Sequence, residues 1–249
     1  MSKPLYVLAT NNNLPLHQEL DAATIEWAKN NNPFDPHFIL GSISDDTKTM
    51  IIHGIKSASK VTIDTYETLG GIPFFRVNSQ STIHGELHAV RVAFFATFLT
   101  MENKNIKPIH AAIAGMLHDI ARANDQADEG HGIRSAVLAK EYLSDTLPEL
   151  TASEIDKIAQ AIKLHEEQDL SDLDDLSAAV KVADALDRYR LPKTKWWPDA
   201  VKMAFVPDQV IFYLAYRLIL LSEQKVLNGA DYISAFRESV DNLIHEVAI

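Results

Sequence analysis

The 249-residue chain reads as mainly α-helical: a helical bundle preceded by a small N-terminal α/β segment. Three observations predict this. From about residue 80 onward, apolar residues recur every three or four positions, the period of an amphipathic helix. Helix start and stop signals punctuate those runs at Pro108, Thr151 to Glu154 and Asn228-Gly229. Hydrophobic residues make up 47% of the chain, enough to bury a sizeable core.

The elements follow in order. Asparagine clusters at 11–13 and 30–32 flank a helix expected around His17 to Lys29. Met50 to Ile52 and Ile72 to Val77 are the strand candidates, the second opened by a turn at Gly70-Gly71. Residues 1–79 are therefore assigned to the α/β segment and 80–249 to the helical domain. Ser81-Thr82 can cap a helix over Leu87 to Leu99. Pro108 opens the next, on which Ala111, Ala114, Leu117 and Ala121 recur at helical spacing. A third runs from about Ile133 to Leu143. Thr151 and Glu154 form a capping box for a fourth, which carries Ile155, Ile158, Ala159, Ile162 and His165. Ser177 to Tyr189 is a fifth. Asp208 to Leu227 and Ala230 to Val247 complete the set, separated by Asn228-Gly229.

Composition excludes several classes. The chain has no cysteine, so disulfides and thiolate metal sites are out, and any metal must be held by imidazole and carboxylate. That usage fits a reducing cytoplasm, and the first residues lack the apolar run of a signal peptide, so a cytoplasmic protein is expected. The most apolar window, Val210 to Leu221, contains Arg217 and is shorter than the roughly twenty residues a membrane span needs. The run Ile211 to Tyr216 within it is core, or a homodimer face if the monomer leaves it exposed. A net charge of −11 disfavours non-specific nucleic-acid binding. A small phosphorylated substrate stays compatible with that charge where cations line its pocket.

His118-Asp119 places an imidazole beside a carboxylate at the end of an apolar run. His88 precedes the pair, and His131, His165 and Asp184 follow it, each in or beside a helical stretch. His84, His88 and Arg91 share one helix face. His131 lies between Gly130 and Gly132, which let the backbone place its ring, and Asp184 lies between Ala183 and Ala185. Divalent metals of intermediate softness bind this mixture of donors, and separate helices can each contribute one or two. His17, His37, His53, His110 and His245 sit in no such pattern and read as structural or surface residues.

The ordered set His88, His118-Asp119 and Asp184 resembles the H…HD…D signature of the HD-domain metal-dependent phosphohydrolase superfamily, over roughly residues 80–200. The contexts IHG-x-x-H-x-x-RV, HD-x-x-R-x-ND-x-x-D-x-x-HG-x-x-SA and AD-x-x-D-R are similar to a bacterial subgroup of it. The resemblance implies a helical fold and hydrolysis of a phosphate ester or anhydride of a small metabolite, a nucleotide foremost. It implies His88, His118, Asp119 and Asp184 as ligands of one divalent metal. His131 and His165 are then ligands of a second, bridged by Asp119, or outer groups that hydrogen-bond a ligand or phosphate. Manganese, iron or another transition ion is expected over magnesium, which prefers oxygen-rich sites. His118, Asp119 and Arg122 are the expected catalytic residues.

Arg91, Arg122, Lys163, Arg188 and Arg190 are the candidate phosphate-binding cations. Arg188, four residues after Asp184, can instead pair with that carboxylate. The segment Leu164-His165-Glu166-Glu167 is similar to a motif of cyclic-dinucleotide phosphodiesterases, but Gln168-Asp169-Leu170 departs from their glycine-tyrosine-proline element, which argues against that substrate. Trp196-Trp197, near Lys193 and Lys195, read as packing residues, with base stacking the alternative. Two other functions stay open: a di-iron oxygenase with a similar six-ligand set, and a non-catalytic metal- or nucleotide-sensing module.

Overall fold

The computed structural model describes residues 20–74, 83–125, 127–169, 171, 173–191, 198 and 203–249. Among these residues the protein is helical and contains no strand. The expected N-terminal α/β character is thereby corrected. Met50 to Ile52 lie inside a 25-residue helix, Asp45–Leu69. Its buried positions Ile55, Ala58, Thr62, Thr65 and Leu69 keep the helical period. Asp45 and Asp46 in its first turn favour the positive end of the helix dipole. Three consecutive apolar residues suggest a strand only when that longer period is overlooked. Of the second strand candidate, residues 72–74 have no regular structure and 75–77 lie outside the described residues. Ser81-Thr82 and Trp196-Trp197 also lie outside them.

The chain divides into two compact units. The first gathers Met1–Lys56, Leu186–Asp199 and Pro207–Ile249; the second comprises Ser57–Ala185 and Ala200–Val206. Neither is bounded at residue 80, because the N-terminal helices pack against the C-terminal ones within the first unit.

In the first unit lie α1 (Ala22–Asn30), α2 (Pro36–Gly41), the opening turns of α3 (Asp45–Leu69), a 3-10 turn (Asp187–Arg190), α9 (Gln209–Leu227) and α10 (Tyr232–Ala248). Asp21, Asp35, Asp208 and Asp231 cap their helices by accepting backbone N–H bonds. Helix α9 packs against α10, α1, α2 and the 3-10 turn. Phe34 meets the rings of Tyr189 and Tyr213 edge-on, and the Tyr216 hydroxyl donates to the Ala28 carbonyl at 2.7 Å. Tyr213 to Tyr216 are buried, so most of the apolar run near residue 213 is core.

The second unit holds the remainder of α3, then α4 (Glu86–Thr100), α5 (Pro108–Leu117), α6 (His131–Thr146), α7 (Ala152–Leu164) and α8 (Asp175–Leu186, to Ala185). Helix α4 is buried on nearly every face from Leu87 to Thr97, the mark of a central helix rather than an amphipathic one. Its N-cap is Gly85, without a side-chain cap. Helix α5 begins at Pro108, and α7 has the expected capping box between Thr151 and Glu154. Helix α4 packs on α5, α6 packs on α7, and α5 also touches α7. A Cβ at Gly115 would lie 2.5 Å from the Ala93 Cα, so only glycine lets α5 approach α4 this closely. No helix among the described residues is long and apolar enough to cross a membrane.

Candidate metal centre

Five helices of the second unit bring the patterned residues together. Helix α4 carries His88 in its first turn. Helix α5 stops at Leu117, so His118 forms its C-cap and Asp119 follows in the turn beyond. His131 is the first residue of α6, His165 is the C-cap of α7, and Asp184 lies in the last turn of α8. Helix ends place short side chains where rigid backbone stops and a cavity can open. At Gly132 a Cβ would meet the Lys163 carbonyl at 2.8 Å and the Ile162 carbonyl at 3.1 Å. The missing side chain lets the start of α6 close onto the end of α7, bringing His131 to His165.

The Asp119 carboxylate stands between two groups of imidazoles. Its Oδ2 lies 3.4 Å from His118 Nε2 and 3.6 Å from His88 Nε2. Those two nitrogens are 3.2 Å apart, and Asp184 Oδ1 is 3.5 Å from His88 Nε2. Its Oδ1 lies 3.1 Å from His131 Nε2 and 3.7 Å from His165 Nε2, nitrogens 2.9 Å apart. His88, His118, Asp119 and His165 are almost fully buried. The Asp184 side chain is 29% exposed, so the cluster opens to solvent on that side.

Hydrogen bonds settle which nitrogens are bare. His118 Nδ1 donates to the Gly115 carbonyl at 2.7 Å, His131 Nδ1 to the Asp128 carbonyl at 2.6 Å, and His165 Nδ1 to the Ile162 carbonyl at 2.6 Å. A carbonyl only accepts, so each Nδ1 carries a proton, and in the neutral ring each Nε2 presents a lone pair inward. Lone pairs of neighbouring rings thus face one another and face a carboxylate. Asp119 Oδ1 is buried without a hydrogen bond. Such an arrangement is repulsive unless a cation sits within it. The atoms of His88, His118 and Asp119, and those of Asp119, His131 and His165, are each close enough to ligate one ion. The donor set therefore fits divalent cations, one on each side of Asp119.

The electrostatics favour positive charge beside Asp119. Burial opposes charge on the His118 ring, but the carboxylates of Asp119 and Asp184 outweigh it and hold its pKa above the ordinary value. His131 is raised in the same way, burial being overcome by Asp119. Burial acts to raise the Asp119 pKa, yet the surrounding His118, His131 and His88 hold it well below the usual carboxylate range. His165 is pushed down to about 3 by burial and by the neighbouring His118 and His131 rings. A cation held here would supply the positive charge that Asp119 otherwise draws from protons on its imidazole neighbours.

The expected phosphate-binding cations are distributed unevenly. Arg122 comes to the cluster: its Nη1 is 3.1 Å from His131 Nε2 and 3.7 Å from Asp119 Oδ1. Arg91 is fully buried one turn beyond His88 on α4. Lys163 is exposed on α7. Arg188 and Arg190 belong to the 3-10 turn of the first unit, where Arg190 lies 3.5 Å from Asp187.

Three further residues support the cluster from outside the six patterned positions. Glu166 Oε2 is 2.9 Å from His131 Nδ1, and its Oε1 accepts the Gly132 N–H at 2.8 Å. Asp125 Oδ1 is 3.0 Å from the Nδ1 of His84, whose ring stands edge-on to His88. Buried Lys181 donates to the His165 carbonyl at 2.9 Å. Glu166 had one legible signal, its position directly after a patterned histidine. Asp125 lies in the HD-x-x-R-x-ND context that follows His118, and Lys181 had no signal.

Residues 86–189, about two fifths of the chain, match the family model described as HD domain. That segment contains all six residues of the cluster. No curated protein and no solved structure matches the chain.

Proposed function

We propose, from the match of residues 86–189 to the HD domain model, a family made up mostly of metal-dependent phosphohydrolases, that the protein hydrolyses a phosphate ester or anhydride of a small metabolite, a nucleotide foremost. The observation that carries the reading is the buried Asp119 carboxylate, with one oxygen turned to each group of imidazoles. His88, His118, Asp119 and Asp184 are the ligands of one cation; Asp119, His131 and His165 are the ligands of another. Imidazole-rich sites suit manganese, iron or a similar transition ion better than magnesium. The cysteine-free chain and its net charge of −11 support a cytoplasmic setting and argue against a nucleic-acid polymer as substrate.

When bound, such ions acidify a water and polarise a phosphoryl oxygen. The chain's own residues do the rest. The carbonyls of Gly115, Asp128 and Ile162 hold the His118, His131 and His165 rings with Nε2 inward. Asp119 stays ionised, as its lowered pKa requires. Arg122 donates from its guanidinium to phosphoryl oxygens and offsets charge developing on them in the transition state. Asp184 lines the solvent-facing side from which a substrate approaches.

The test is a metal analysis of the purified protein, then a phosphate-release screen over nucleotides and phosphomonoesters, with His118→Ala and Asp119→Ala alongside. The expected result is bound transition metal and phosphate release by the parent protein. Both variants lose turnover while keeping their helical circular dichroism. Full activity in either variant refutes the assignment.

A further inference from the structure

The two sides of Asp119 are not equivalent. On the His88 side two carboxylates contribute, Asp119 Oδ2 and Asp184 Oδ1. On the His131 side the carboxylate share is Asp119 Oδ1, and a guanidinium stands beside it. Arg122 Nη1 is 3.1 Å from His131 Nε2 and 3.7 Å from Asp119 Oδ1. Arg122 is 9% exposed, and its Nε donates to the Asn124 carbonyl at 3.1 Å, which ties the side chain into the turn after Asp119.

In the neutral ring, the form that binds a cation, His131 Nε2 has a single lone pair, because Nδ1 carries the proton that meets the Asp128 carbonyl. That pair can accept a hydrogen bond from Arg122 or bind a cation, but not both. The distances make the conflict electrostatic as well. An ion at the usual distance of about 2.1 Å from an imidazole nitrogen would lie no farther than about 5 Å from Nη1, two cations in a site that excludes most water.

Resting on the metal-dependent reading above, we infer that Arg122 and a second divalent cation compete for His131 Nε2 and Asp119 Oδ1, so that the protein holds one ion firmly and takes the second only as Arg122 is displaced. A phosphoryl group is the ligand whose chemistry moves the guanidinium, because it accepts two parallel N–H bonds where an imidazole accepts one. Phosphate and the second ion therefore bind with positive coupling, which by linkage is reciprocal. The second ion arrives with the substrate rather than before it.

The experiment uses the full chain, stripped of metal and titrated with Mn²⁺, with free ion followed by electron paramagnetic resonance. Arg122→Met, Arg122→Gln and His131→Ala are compared with the parent protein, each with and without inorganic phosphate. In the parent, one ion is expected to bind firmly and a second about tenfold or more weakly, with phosphate narrowing the gap. In Arg122→Met the second ion tightens by about tenfold, the first is unchanged, and phosphate has less effect. His131→Ala keeps the first ion and loses the second. Arg122→Gln repeats the comparison should the methionine variant fail to fold. A second-ion affinity that is the same in the parent and in the folded Arg122 variants overturns the inference, as does one that phosphate leaves unchanged in the parent. A parent protein that binds no ion at all sinks the proposed function instead, a separate and recognisable result.

Discussion

His110 shows what burial does to a histidine outside the cluster. It lies in the first turn of α5, buried, with Nε2 3.5 Å from Glu154 Oε1. Burial lowers its pKa from 6.5; Glu154 opposes the shift, and Lys107 and Lys157 add to it. A histidine whose folded pKa is depressed is favoured neutral in the native state, while the unfolded chain takes up a proton near pH 6.5. Its contribution to stability is present above pH 6.5 and is lost as pH falls from there towards the lower folded value. Urea midpoints at pH 7.5 and pH 5.5 should therefore drop further for the parent protein than for His110→Gln. Equal drops would show that the buried ring does not govern this window. In sequence His110 reads as a structural or surface residue; its ring is buried, on the face that meets Glu154.

At the scale of elements, close helix approach is what makes two clusters out of scattered histidines. Gly132 lets α6 meet the end of α7, and a methyl group there would press on the carbonyls of Ile162 and Lys163. Those atoms are backbone and cannot swing aside. Gly132→Ala should therefore cost about 1–3 kcal/mol, the range for overpacking, and should weaken metal binding by parting His131 from His165. Thermal unfolding and Mn²⁺ titration check both effects; a variant as stable as the parent with unaltered titration would contradict the packing argument. The same scale explains what could be read in advance. Helices α5 and α7 announced themselves through Pro108 and the Thr151–Glu154 box, signals contained within a few residues. Helix α3 was hidden because its apolar positions mix with Ser and Thr, leaving Met50 to Ile52 as the conspicuous run. Helix α2, six residues long, is shorter than periodicity can register. Glu166, Asp125 and Lys181 bond across 34, 41 and 16 positions of sequence, so no local pattern announces their partners. The six patterned residues stood out because their chemistry, rather than their local period, was unusual.

For the molecule as a whole, the proposed ligands come from α4, α5, α6, α7 and α8, so a cation held by them would crosslink distant stretches of chain. An ion that binds the folded state alone stabilises it by mass action, by about 4 kcal/mol at a thousandfold excess over its dissociation constant. Chelation should thus lower the thermal midpoint, and restoring metal should recover it; a midpoint indifferent to chelator would mean that no ion bridges these helices. One feature of the rings bears on how such a protein fails. His118, His131 and His165 each anchor their proton on a carbonyl three residues earlier in the chain. The bare nitrogen is thus set by a carbonyl within the same four-residue stretch, and at His131 Glu166 reinforces it. Loosening the bundle would spread the rings and slacken their grip, yet each would still offer the correct atom, so recovery needs only the helices to close again.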